Sequence, residues 1–204
     1  TVAGQVETLE ALLNHLQVDT CALMGVSYGG LISAELANQT DRTINEMVLF
    51  DTPTKFAESS DIGKVKEYFQ TPSIEELFVP SEPEGLNKLL FLATGKERKV
   101  PGGLLKEFHK KSYAYNLEDK RKLITALLDD MEKYRQREYS FDMPILLLWG
   151  EEDKVVPLET GVKLASYFGE NATLKVIKDA AHMPNMTHKR DFNLYVEIFL
   201  GIAK

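Results

Sequence analysis

At 204 residues, 44% hydrophobic and 27% charged, the chain can bury a sizeable core and has the composition of an ordinary globular protein. Its 24 basic against 31 acidic residues leave a net charge of -7, which opposes phosphate backbones and anionic lipid, so no nucleic-acid or membrane partner is expected. Cys21 is the single cysteine, which excludes an internal disulfide and a cysteine-built metal cluster and fits a reducing, cytoplasmic setting.

No run approaches the roughly 18 to 20 apolar residues of a membrane span, and no basic-then-apolar leader opens the chain. The first residues are Thr1-Val2-Ala3-Gly4 without methionine. The true beginning, with any targeting segment, is therefore expected to have been removed.

Val6, Leu9, Leu12, Leu13 and Leu16 recur at helical spacing and predict an amphipathic helix over about 4–17, with His15 on its surface. An apolar run, Cys21-Ala22-Leu23-Met24, then enters Gly25-Val26-Ser27-Tyr28-Gly29-Gly30, and a helical pattern from Leu31 to about Asn38 leaves it. That order reads as strand, sharp turn, helix. At so tight a turn the central residue is strained and the flanking backbone crowded, and glycines at 25 and 29 are expected to relieve the crowding. Such a turn holds the Ser27 hydroxyl clear of the strand, beside helix N–H groups that can receive an oxyanion. As a phosphate cradle the loop lacks both the P-loop lysine and the three-glycine dinucleotide spacing.

Glu46-Met47-Val48-Leu49-Phe50-Asp51, closed by Thr52-Pro53, predicts a second buried strand. From Thr54 to Asp142 the patterns are helical and broken by prolines; the clearest helix sets Ile124, Leu127, Leu128, Met131 and Tyr134 on one face. The aromatics Tyr68, Phe69, Phe78, Phe91, Phe108, Tyr113 and Tyr115 either line a pocket or, more simply, pack these helices together. Strand character returns at Pro144-Ile145-Leu146-Leu147-Leu148-Trp149 and again at Thr173-Leu174-Lys175-Val176-Ile177. Between them Leu158, Val162, Ala165 and Phe168 mark a helix, and Phe192, Tyr195, Val196 and Phe199 mark a closing one. Strands alternating with helices imply a mostly parallel sheet flanked by helices. The expected organisation is a core formed by 1–53 and 143–204 with an inserted helical cap over 54–142.

A serine nucleophile needs a base, and the base needs a partner that fixes its tautomer. His182 follows the last strand in Asp179-Ala180-Ala181-His182-Met183-Pro184, and Asp153 follows its own strand in Gly150-Glu151-Glu152-Asp153. In a parallel sheet the carboxyl ends of all strands share one edge, so Ser27, Asp153 and His182 are expected to meet there. His15 and His109 lie in helical patterns and His188 opens the final helix, whereas Asp51 also ends a strand and stays open as an alternative acid. The four histidines show no H-E-x-x-H spacing, so no metal is expected.

The Gly25-x-Ser27-x-Gly29 elbow, the order Ser27, Asp153, His182 and the loops carrying the last two resemble the α/β-hydrolase fold family from the helix before the elbow to the last helix. The resemblance implies an α/β fold with a helical cap, a Ser27-His182-Asp153 triad, and the Tyr28 N–H as an oxyanion donor. It also implies further strands before the elbow, with a second oxyanion donor among them, which this chain does not contain. An unpaired sheet edge is therefore expected, completed by a missing N-terminal segment or by self-association. The implied function is a cofactor-free serine hydrolase of a small or medium carbonyl substrate, in the first place an ester. A lyase or acyltransferase relative, or a ligand-binding or signalling module with little turnover, remains open, because one fold hosts many chemistries.

Overall fold

The computed structural model describes residues 1–56 and 58–203, without the side chains of residues 59 and 60. Helix α1, Val2–His15, is followed by strand β1, Thr20–Val26, helix α2, Tyr28–Gln39, and strand β2, Thr43–Phe50. Five helices come next: α3, Ser59–Tyr68; α4, Ile74–Phe78; α5, Leu86–Thr94; α6, Gly102–Ser112; and α7, Leu117–Arg135. Strand β3, Ile145–Gly150, helix α8, Leu158–Phe168, strand β4, Ala172–Ile177, and helices α9, Pro184–Thr187, and α10, Lys189–Phe199, complete the chain. The four strands form one sheet in the order β1-β2-β3-β4, every pair parallel.

The central strands carry apolar residues on both faces because both faces are covered. Met47, Leu49, Ile145, Leu147 and Trp149 pack under α2 and α8, while Val48, Phe50, Leu146 and Leu148 pack against Phe192 and Val196 of α10. All six residues of β3 are buried, as the unbroken apolar run predicts. β1 has a neighbour on one side only, and Met24 on it is 48% exposed.

Two helical faces differ from the periodic reading. In α8 the buried residues are Thr160, Gly161 and Leu164, and Val162 is 49% exposed. The cause is Trp149: a Cβ on Gly161 would lie 2.7 Å from its ring, so the helix turns its glycine to the sheet. In α1, Val2 and Val6 are buried against α2 while Leu12 and Leu16 are exposed, because the packing on α2 involves the N-terminal part of the helix.

Candidate active site

A single residue turns the chain from β1 into α2. Ser27 stands between them with φ 49 and ψ -125, a conformation that costs a non-glycine residue roughly 1–3 kcal/mol. Its surroundings hold it there. The Ser27 N–H donates to the Phe50 carbonyl at 3.0 Å, and its own carbonyl accepts from Thr52 Oγ1 at 2.8 Å and from the Gly30 N–H at 3.0 Å. A Cβ at Gly25 would sit 2.4 Å from the Gly29 carbonyl oxygen, so no side chain fits at 25. For Gly29 the expectation needs correcting: a Cβ there meets nothing within 4 Å, because it is the Gly29 backbone that crowds Gly25. The second steric requirement falls on Gly30, whose Cβ would come within 2.5 Å of Thr52 Oγ1. Gly30 and Leu31 donate to Ser27, whereas among the described residues no hydrogen bond runs from the N–H groups of Tyr28 and Gly29, the first of the helix.

Asp153 and His182 are brought together. Asp153 Oδ1 accepts from the Val155 and Val156 N–H groups at 2.7 and 3.1 Å, and Oδ2 lies 2.8 Å from His182 Nδ1. A carboxylate only accepts, so it makes Nδ1 the protonated nitrogen and leaves Nε2 as the basic one. Both residues are buried, His182 to 3% exposure. Their loops are tied to each other, since the Glu152 N–H donates to the Ala180 carbonyl at 2.8 Å and a Cβ at Gly150 would meet the Ala181 carbonyl at 2.4 Å. Among the described residues no hydrogen bond joins Ser27 Oγ to His182. The rival histidines have other surroundings: His15 is exposed, His109 is bonded to the Pro80 carbonyl, and His188 precedes α10 beside Thr187.

Asp51 is fully buried at the end of β2 and has a positive φ of 47. Its Oδ1 accepts from the Gly150 N–H at 2.9 Å, while Oδ2 is buried without a donor. Burial, and then the charge of the neighbouring Asp153, raise its pKa well above the usual carboxylate range. A raised pKa favours the protonated form, in which Asp51 puts no second charge beside Asp153.

A cavity of about 140 Å³ opens beside Ser27 and Tyr28. Its α7 wall is made by Ile124, Leu127, Leu128, Met131 and Tyr134, the same five residues that share a face in the sequence. Val155 and Val156 reach it from the acid loop, whereas Asp153 and His182 do not line it. Burial beside the negative charges of Asp130 and Glu35 pushes the Tyr134 phenol up to about 12. Of the seven aromatics named from the sequence, Phe78 lines this cavity; Tyr68 stacks on Phe91 with Phe69 edge-on to both, Tyr113 stacks on His109, and Phe108 and Tyr115 are exposed. Sequence reasoning missed Thr54, whose buried Oγ1 lines the cavity without a protein partner, and the carboxylates of Glu58 and Asp61 in its wall. Neither had a local signal. Among the described residues no three His, Cys, Asp or Glu side chains gather as metal ligands, and no helix is long and apolar enough to cross a membrane.

The chain is 22% identical over 204 residues to a 2-hydroxy-6-oxononadienedioate/2-hydroxy-6-oxononatrienedioate hydrolase of Cupriavidus pinatubonensis, covering 95% of this chain and 66% of that protein. It is 27% identical over 201 residues to 3-oxoadipate enol-lactonase 2 of Acinetobacter baylyi, covering 92% of this chain and 66% of that protein. The chain thus spans just under two thirds of the length of both relatives. The crystal structure of a mutant of the meta-cleavage product hydrolase CumD superposes with a TM-score of 0.76 at 19% identity, over 100% of this chain and 73% of that one, and so shares its fold. The family model of the alpha/beta hydrolase fold matches residues 1–189. With its elbow, its parallel sheet and this match over most of its length, the chain belongs to the alpha/beta hydrolase fold family.

Proposed function

We propose that this protein is a serine-dependent hydrolase acting on a small or medium ester or related carbonyl compound. The observation that carries the reading is a strained Ser27 on the wall of an apolar cavity that Val155 and Val156 also line, from the loop in which Asp153 holds His182 by its Nδ1. In this reading His182 Nε2 takes the Ser27 hydroxyl proton as Oγ adds to the carbonyl carbon, and Asp153 stabilises the resulting imidazolium. The Tyr28 N–H receives the oxyanion. Collapse breaks the bond to the leaving group, which takes the proton from His182 and leaves an acyl-Ser27. Water then adds by the mirror of these steps, frees the acid and restores the serine. The relatives' names support hydrolysis at a carbonyl, a lactone in one of them, and no step needs a cofactor.

The reaction requires His182 Nε2 to come within hydrogen-bond reach of Ser27 Oγ, and such contacts commonly tighten when substrate binds. Ser27→Ala and His182→Ala are each expected to abolish most turnover. Asp153→Asn, which offers the imidazole the wrong tautomer, is expected to lower kcat by up to about 10⁴-fold with the fold intact. The double variants should be barely worse than the singles, because the residues act as a unit. Steady-state ester hydrolysis with circular dichroism as the fold control checks this; turnover retained in Ser27→Ala would end the reading.

A further inference from the structure

The cavity beside Ser27 has a charge pattern that restricts what can enter it. Its wall includes Leu31, Ile62, Leu127, Leu128 and Met131, and no Lys, Arg or His side chain lines it among the described residues. Glu58 and Asp61 also line it, with their carboxylates tied into the first turn of α3, where each accepts the other's backbone N–H. Each has a lysine on its outer side, Lys163 at 3.4 Å from Glu58 and Lys64 at 2.9 Å from Asp61. Both lysine side chains are largely in solvent, 51% and 72% exposed, so they neutralise the carboxylates without offering a cation to the cavity.

An ion moved from water into largely apolar surroundings loses its hydration, and the hydroxyl-bearing residues of this wall, Thr54 among them, offer an anion no opposite charge. The dimensions point the same way, since an aliphatic cavity on the order of 150 Å³ takes an apolar group about the size of a benzene ring. We infer that the group held beside Ser27 is uncharged and chiefly hydrocarbon, and that the cavity rejects substrates carrying a carboxylate on that side. This deepens the hydrolase reading and rests on it for the identity of the cavity as the acyl-binding space.

Two esters of equal acyl length and the same leaving group make the test, 4-nitrophenyl pentanoate and mono-4-nitrophenyl glutarate, which differ in a terminal carboxylate. Their binding to the Ser27→Ala variant, measured by calorimetry, is independent of turnover. The pentanoate is expected to bind at least tenfold more tightly, and Met131→Arg, which brings a cation to the wall, to narrow the ratio. A smaller ratio in Ser27→Ala, tighter binding of the glutarate, or failure of the pentanoate to bind would overturn the inference. Wild-type turnover of the pentanoate is read separately. Selective binding without turnover would sink the hydrolase reading and leave the charge selection standing.

Discussion

Asp51 and Asp153 are both buried carboxyl groups near strand ends, yet their surroundings differ. Asp153 receives two backbone N–H groups and faces an imidazole, whereas Asp51 receives one N–H and faces another carboxylate. Because the folded pKa of Asp51 is raised above its unfolded value near 3.9, the fold binds its proton more tightly than the unfolded chain does. The stability this contributes is fully present below about pH 3.9 and is lost as pH rises towards the folded pKa. Asn at this position keeps the acceptor for the Gly150 N–H and supplies a permanent donor towards Asp153. Asp51→Asn should therefore gain in Tm over wild type as pH is raised from 4 to 7, and should keep ester turnover within a few-fold. Thermal melts across that range check it; a variant that loses stability progressively as pH rises would mean that Asp51 is ionised in the fold. The positions of Ser27, Asp153 and His182 were legible in the sequence because each follows an apolar strand and each bears a chemistry that strand and turn patterns do not need. The raised pKa of Asp51 was not, since it depends on burial and on Asp153, more than a hundred residues away in the chain.

At the scale of elements, helix α7 illustrates what periodicity can and cannot say. The 3.6-residue repeat correctly grouped Ile124, Leu127, Leu128, Met131 and Tyr134 on one face, but a helix facing a void and a helix facing a core have the same pattern. Their burial separates them: Tyr134 is buried, while the other four are half-buried at the cavity. Met131 belongs to this wall, so Met131→Phe should fill space rather than displace core. Its expected effect is a stability change of less than about 1.5 kcal/mol together with at least a fivefold fall in kcat/KM for pentanoate relative to acetate esters. Phe69 lies by contrast edge-on to Tyr68 and Phe91, and Phe69→Ala should cost about 3–5 kcal/mol and leave the acyl-length preference unchanged. Chemical denaturation and an ester chain-length series measure both; an unchanged preference in Met131→Phe would remove α7 from the acyl-binding wall. The aromatics of this segment could not be sorted from sequence because ring stacking between helices leaves no periodic trace.

Across the whole molecule, parallel pairing aligns four strand ends in the order β1, β2, β3, β4, and the candidate site residues follow these ends. The end of β2 joins the others: Phe50 and Thr52 hold Ser27 on one side, and Asp51 holds Gly150 on the other. Gly150 in turn begins the loop of Asp153, whose backbone is bonded to the loop of His182. The parallel sheet was legible from alternating strand and helix patterns, whereas this chain of contacts depends on strand order, which the sequence did not display. The central claim, that the fold turns Ser27 into a nucleophile served by His182, is tested most directly by labelling the chain with a fluorophosphonate and mapping the modified peptide by mass spectrometry. The account predicts one adduct, on Ser27, absent from Ser27→Ala and formed at least a hundredfold more slowly in His182→Ala. No adduct, or the same rate of labelling at another serine in the Ser27→Ala variant, would contradict it.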